Sequence, residues 1–553
     1  MMRIGSGGAH FPTPRCLLLR SRHGNVGWRR VSRMKRKQRE VSLHRRPDRD
    51  SRPESEPDHS PVLPGRQLVS ARSRWGVLFG LTLVTFLLLL EDTAVSVALP
   101  SIQRQLGLGF DGLEWVVNAY TLTIAAFTLL GGRLADRNGA RGIFLIGLGI
   151  FIVGSLVSGL APNAGVLISS RAVQGLGAAL VAPAALALIA ITFPAERRGA
   201  ALGVWAGVSA SALGIGPLIG AIINDSLGWP WIFLVNVPVG VLAWLAASFL
   251  LPKSNPPALR MRLDLVGVCL SATGLLSLIL LLNQGNAAGW ASALVIGLSV
   301  VTLVALGLFV WHERRTPEPL VNLSLFHNRS FTAANLVTLL ATAVMCSLFF
   351  FLALYLQTVL GYSALVSGAS LLPLTVTIVV VAPLAGRMAD RLGVRALIVV
   401  GMLLLAAALL GLSTLGLDAN LTTVMLWLAL AGFGIALART PTTTAALGAA
   451  DGSSYGVAAG IFSTFQAAGL ALGIAMMGAI LTSFGPSAAF ERGFDQAHHA
   501  AFVQGFSTAL VVNAGIAVFA AALAGIMLRP DRGTAHQTDA SSGDDIGLAN
   551  RVD

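Results

Sequence analysis

The chain has 553 residues, 54% hydrophobic and only 12% charged, with a mean hydropathy of +0.73. Soluble globular proteins carry about 25% charged residues; half that share cannot coat a water-exposed surface of this size, which excludes a large soluble domain, a disordered protein and a fibrous one. The formal charge of +13 does not point to nucleic acid, because residues 1–75 hold 18 Lys/Arg against 6 Asp/Glu, a net +12 that leaves about +1 for the rest.

That N-terminal stretch, residues 1–75, is rich in Arg, Ser, Pro and Asp and has no apolar period, so it is expected to be a disordered basic cytoplasmic tail near anionic lipid. It shows no apolar core followed by a small-residue cleavage site, and no cleaved signal peptide is expected. Cys16, Cys269 and Cys346 lie far apart, without the spacing of a zinc site or a disulfide framework. No metal site is expected.

Fourteen continuous apolar runs follow, each long enough for a transmembrane helix and unlike the short alternating runs of a barrel. They cover about 76–99, 113–132, 143–161, 165–192, 200–223, 230–251, 264–283 and 291–311, then 332–355, 364–386, 395–416, 420–438, 455–483 and 505–528. With the N-terminus inside, the even-numbered loops and the C-terminal flank carry 17 Lys/Arg, Arg439 among them, against Arg104 and Arg492 opposite. That bias predicts a multi-pass protein of the cell membrane with both termini cytoplasmic.

The first run ends in the adjacent acids Glu91 and Asp92, the only carboxylates deep in an apolar run. Two adjacent carboxylates at bilayer depth cannot both carry charge cheaply, so one can hold a proton near neutral pH, as a proton carrier must. At the end of the second run stands GRLADRNGAR, residues 132–141. Gly132 and Gly139 permit close helix approach and a tight turn. Asp136 can face the N-terminus of a neighbouring helix, and Arg137 and Arg141 anchor the inner face. In the fourth run Arg171 is read as the only cation well inside an apolar segment; at bilayer depth it must be paired or functional. In the fifth, Gly214, Gly216 and Gly220 form a small-residue stripe and Pro217 predicts a bend. Trp115, Asn118, Tyr120, Gln174, Gln357 and Gln466 are polar or amphipathic side chains on otherwise apolar helices, and they are the candidate substrate contacts.

At residues 386–395, after the tenth run, the sequence reads GRMADRLGVR, identical at seven of ten positions to 132–141. Gly386, Asp390, Arg391, Gly393 and Arg395 are therefore the second copy of the same latch. A separation of eight runs fits a six-helix repeat with two helices inserted between the halves. The expected organisation is an all-α membrane protein with a tail (1–75), a six-helix bundle (76–251), two inserted helices and a linker (252–328), a second six-helix bundle (329–528) and a cytoplasmic tail (529–553).

Several stretches together resemble the major facilitator superfamily, in its fourteen-helix drug:proton antiporter branch. They are LLEDTAVSVALPSIQRQL (89–106), LEWVVNAYTL (113–122), both latch motifs, SSRAVQGLGAA (169–179), ALGIGPLIGA (212–221), WPWIFLVNVPVG (229–240) and YLQTVLGYSALVSGASLLPL (355–374). The resemblance spans about residues 76–528. It implies alternating access by two rocking bundles, export by antiport through the Gly214-Gly216-Pro217-Gly220 motif, and a cavity position for Arg171 near the proton site. Aligning on Thr93 and Val97-Ala98-Leu99-Pro100 places the branch's aspartate at Glu91, with Asp92 on a variable position. Glu91 is therefore the first candidate for the proton and Asp92 the second. Ala212 and Ala221 replace glycines of the pattern, and Pro230 stands where the branch commonly has arginine between two tryptophans, a departure at the outer end of the sixth run.

These observations point to a proton-coupled multidrug exporter of hydrophobic or amphipathic small molecules. It would be a monomer in a lipid bilayer, powered by the proton gradient, with no cofactor and no nucleic-acid partner. The alternative is a proton-coupled exporter of one endogenous metabolite or natural product. No GxxxxGK[ST] loop supports an ATP-driven pump, and neither HExxH nor GxSxG supports an intramembrane enzyme. The repeat and the buried acids argue against a passive channel.

Overall fold

The computed structural model describes residues 71–108, 110–251, 263–450, 454–484 and 496–528. The basic tail up to residue 70, the C-terminal segment from 529, and Lys253, Arg260, Arg262 and Arg492 lie outside them.

The described residues form sixteen α-helices and no strands. In order they are α1 (Ala71–Leu106), α2 (Phe110–Asn138), α3 (Ala140–Gly159), α4 (Ala164–Thr192), α5 (Ala195–Leu227), α6 (Pro230–Leu234) and α7 (Asn236–Leu250). The helices α8 (Leu265–Ala288) and α9 (Ala293–Glu313) follow. The chain continues with α10 (Arg329–Leu354), α11 (Ala364–Ser370), α12 (Leu372–Leu392), α13 (Val394–Ser413), α14 (Leu421–Gly448), α15 (Tyr455–Phe484) and α16 (Gln496–Met527). Thirteen stretches are long and apolar enough to cross a membrane, and α5, a bent pair, makes fourteen. Two of the expected spans are each built from two helices, α6 with α7 and α11 with α12.

Prolines explain most of the breaks. A helix-interior proline clashes with the carbonyl four residues earlier and removes one hydrogen bond. Pro217 therefore acts at Leu213, and α5 turns by 42° between Arg197–Ala212 and Gly214–Leu227. Pro238 acts at Leu234, where α6 ends and α7 begins. Pro230 occupies the first position of α6, where its missing N–H costs nothing. The departure from the family pattern there leaves an ordered helix start, with Trp229 donating from Nε1 to Gln105 Oε1 at 2.5 Å.

One expected boundary is corrected. The twelfth run was expected to end at 438, which left Arg439 in a loop, but α14 continues to Gly448. The polar stretch Thr442-Thr443-Thr444 does not stop it, because each hydroxyl donates to the carbonyl four residues back: Ala438 at 2.6 Å, Arg439 at 3.0 Å and Thr440 at 3.1 Å. Arg439 thus lies nine residues inside the helix end, about 13 Å at 1.5 Å per residue. Arg171 is not the only cation within an apolar helix.

Two long contacts join the halves of the repeat. The helix α2 packs on α15, and α5 packs on α12. The inserted helix α8 covers the first of these seams by packing on both α2 and α15. Its Asn286 donates to the Ala475 carbonyl of α15 at 2.8 Å, and Asn283 donates to Asn118 Oδ1 of α2 at 3.4 Å.

Candidate functional site

Both copies of the repeated motif sit at the same end of the bundle. Asp136, in the last turn of α2, accepts the backbone N–H groups of Gly456 at 2.6 Å and Val457 at 2.7 Å. These are unpaired donors of the first turn of α15, where the helix dipole is positive, so a carboxylate is held by charge and geometry together. Asp390, at the end of α12, accepts the N–H of Gly199, the fifth residue of α5, at 3.2 Å. The carboxylate-to-helix contact expected from the motif is present twice, once across each seam.

The glycines make these approaches possible. A Cβ on Gly132 would run into the Gly456 carbonyl, and one on Gly386 into that of Gly199. Gly139 and Gly393 have φ of 91° and 82° and begin α3 and α13, so each latch is followed by a turn that disfavours a side chain. Arg137 and Arg395 are half-buried and Arg391 is exposed, while Arg141 reaches the Ser248 carbonyl of α7. The guanidinium of Arg198 stacks 5.1 Å from the Tyr455 ring, bridging α5 and α15 at this end.

Deeper in the first half, Glu91 and Arg171 are both fully buried and pair at 2.5 Å between Oε1 and Nη1. Gln174, one helical turn after Arg171, donates to the same Glu91 oxygen at 2.8 Å, and Asn236 of α7 donates to Oε2 at 2.9 Å. Arg171 also donates from Nε to the Val116 carbonyl at 3.1 Å, and its guanidinium lies 4.1 Å above the Tyr120 ring. Gln174 continues the network to Ser155 at 2.7 Å, and Ser158 donates to Gln174 and pairs with Ser170. A buried ion pair offsets its desolvation only as far as its remaining valences are satisfied, and here polar groups from α2, α3, α4 and α7 supply most of them, with Arg171 Nη2 left without a hydrogen-bond partner.

Asp92 points elsewhere. Successive helix residues project about 100° apart, and Asp92 is half-buried, with no hydrogen bond to its carboxylate among the described residues.

Gly214, Gly216 and Gly220 serve contacts on two sides of α5. A Cβ on Gly214 would strike Thr375 of α12, one on Gly216 would strike Thr93 Oγ1 of α1, and one on Gly220 would meet the Ala94 backbone. Thr93 Oγ1 lies 3.3 Å from the Ala212 carbonyl, to which it donates.

The six candidate substrate contacts do not share one surface. Tyr120 and Gln174 belong to the ion-pair network, Tyr120 under the Arg171 guanidinium and Gln174 on Glu91. Trp115 is 48% exposed, Asn118 meets the inserted helix, and Gln357 is exposed on the π-helical turn Tyr355–Val359. Gln466 lines a pocket together with Arg439. Sequence reasoning missed Asn236, although a lone amide between Val235 and Val237 in an apolar run is the same kind of signal that singled out Gln174.

Comparison with known proteins agrees with this architecture. The sequence profile described as Major Facilitator Superfamily matches residues 81–473 and 374–549. The multidrug resistance protein Stp of Mycobacterium tuberculosis is 36% identical over 408 residues, covering 72% of this chain and 74% of that protein. The tetracenomycin C resistance and export protein of Streptomyces glaucescens is 33% identical over 409 residues, 74% of this chain and 76% of that one. Among solved structures, the human organic anion transporter MFSD10 superposes with a TM-score of 0.58 at 17% identity, over 82% of this chain and 99% of its own, which speaks to the fold alone.

Proposed function

This chain belongs to the major facilitator superfamily, and on that premise we propose that it is a proton-coupled exporter of hydrophobic or amphipathic small molecules, a drug:proton antiporter of the cell membrane. The names of its relatives, which are multidrug and antibiotic resistance proteins, support export of toxic compounds. The observation that carries the proton-coupled reading is the fully buried Glu91–Arg171 pair, held by Gln174 and Asn236 beside the half-buried Asp92.

The Lys/Arg bias assigns the latch end to the cytoplasm. With both latches engaged, the cytoplasmic end is closed and the transporter is poised to face outward. A proton arriving from outside and bound by Glu91 removes the charge that holds Arg171, freeing Arg171 and Gln174 to reorganise. The two halves then rock, the latches part, and the proton leaves to the cytoplasm as substrate enters from there. In this reading Glu91 carries the proton and Asp92 tunes pH dependence or substrate preference.

The test is ethidium efflux from cells lacking their own efflux systems. Efflux should stop when the proton gradient is collapsed. It should also stop in the Glu91→Gln protein, whereas Asp92→Asn should only shift the profile. Efflux surviving Glu91→Gln but lost in Asp92→Asn would exchange the two roles, and survival in both would remove this pair from coupling.

A further inference from the structure

We propose that Arg439 is an anion-recognising residue in the second half of the repeat, and that the exported compounds include slender amphiphiles with a terminal carboxylate. The proposal rests on the exporter reading above and names a substrate class for it.

The geometry around Arg439 differs from that around Arg171. Arg171 has a carboxylate partner, two side-chain amides and an aromatic face in reach. Arg439 pairs with no acidic side chain among the described residues. Its Nε is buried without a hydrogen-bond partner, and Nη1 has only the Met345 sulfur at 3.6 Å. An uncompensated guanidinium inside a membrane helix is expensive, and the helix around it has not been arranged to relieve that cost. The hydroxyls of Thr442, Thr443 and Thr444 are turned to their own backbone, and Thr338 donates to the Ala334 carbonyl. The guanidinium keeps donors for something that the polypeptide does not supply.

Arg439 also lines a pocket. Its walls are Thr338, Thr342 and Met345 of α10, Met402 of α13, Ile435 of α14 and Gln466 of α15. The polar groups Arg439, Gln466 and Thr342 can surround an acceptor, while the methionines and Ile435 offer a soft apolar wall that adapts to varied shapes. The free space is about 20 Å³, close to that of one water molecule. In this state it takes the head of a ligand and not its body. A planar carboxylate matches the two-pronged guanidinium, which favours that head over a bulkier one. A phospholipid phosphate has the same charge, so the source of the anion has to be separated experimentally.

The full-length protein, in phosphatidylcholine nanodiscs, would be titrated with 11-(dansylamino)undecanoate and with its neutral carboxamide, using dansyl fluorescence. The wild type should bind the carboxylate at least tenfold more tightly than the amide. Arg439→Gln should abolish that preference while changing amide affinity less than twofold, which also reports an intact fold. Arg439→Lys should restore part of the preference. Equal affinity of the wild type for both probes, or an undiminished preference in Arg439→Gln, overturns the proposal. If Arg439→Gln does not assemble, Gln466→Leu must weaken the carboxylate selectively; loss of both probes together overturns it. If phosphatidylglycerol in the discs displaces the carboxylate in the wild type, the anion is a lipid headgroup, and the substrate assignment is overturned. Ethidium efflux driven by a proton gradient tests the exporter reading separately, since Arg439 binding is read without transport.

Discussion

Replacing Asp136 with Asn isolates the charge of the latch while keeping its shape. In the closed state this carboxylate accepts two backbone N–H groups, Gly456 at 2.6 Å and Val457 at 2.7 Å. An amide can accept one of them through Oδ1, but its Nδ2 then confronts the other donor. Hydrogen bonds to a charged group are each worth about 1.5–3 kcal/mol, and the charge–dipole attraction at a helix N-terminus adds about 0.3–1 kcal/mol. Losing one bond, weakening the other and losing the charge should cost the latched state about 2–4 kcal/mol. At about 1.4 kcal/mol per tenfold change, its population relative to the open state falls roughly 30- to 700-fold. The assay is a distance distribution between spin labels at the exposed positions Asn138 and Leu392, one on each half at the latch end, in a cysteine-free background, read beside ethidium efflux. Asp136→Asn should shift the distribution toward long distances and slow efflux while membrane insertion is normal. Asp390→Asn should do so less, since its bond to Gly199 is longer, at 3.2 Å. Unchanged distances and unchanged efflux in both variants, at normal surface amounts, would refute the latch.

Gly456→Ala should open the same end with the Asp136 charge intact, because the new Cβ would lie 2.7 Å from Asp136 Oδ1; the same spin-label pair checks it. Glu91→Gln leaves Arg171 buried without its counter-charge and should lower stability by about 3–5 kcal/mol, measured by thermal unfolding in detergent. Adding Arg171→Gln should recover more than half of that loss, whereas a further additive loss would mean that the two residues are not coupled. Gly216→Ala forces the new methyl against Thr93 Oγ1 and should cost about 1–3 kcal/mol; Thr93→Ala should rescue it and Thr93→Ser should not.

The linear sequence determined the properties that depend on composition and repetition. Apolar runs of membrane length have one stable fate, because a backbone in lipid must satisfy its own hydrogen bonds, so the spans were legible with no knowledge of their packing. The latch was legible because it was written twice: GRLADRNGAR and GRMADRLGVR placed Asp136 and Asp390 at matching helix ends, and a carboxylate there needs only a helix N-terminus to meet. The bend of α5 followed from Pro217 by a local clash. Tertiary structure decided what depends on partners distant in sequence. Which acid is sealed and which is left half-buried is set by where α4 and α7 deliver Arg171, Gln174 and Asn236 around α1. The periodicity of α1 distinguishes the faces of Glu91 and Asp92 but not what stands opposite each. The extent of α14 was hidden for a related reason. A run of threonines reads as a polar loop until the hydroxyls turn inward to their own carbonyls, and only that turn brings Arg439 into the membrane, where the packing of α10, α13 and α15 gives it a pocket and, among the described residues, no acidic partner.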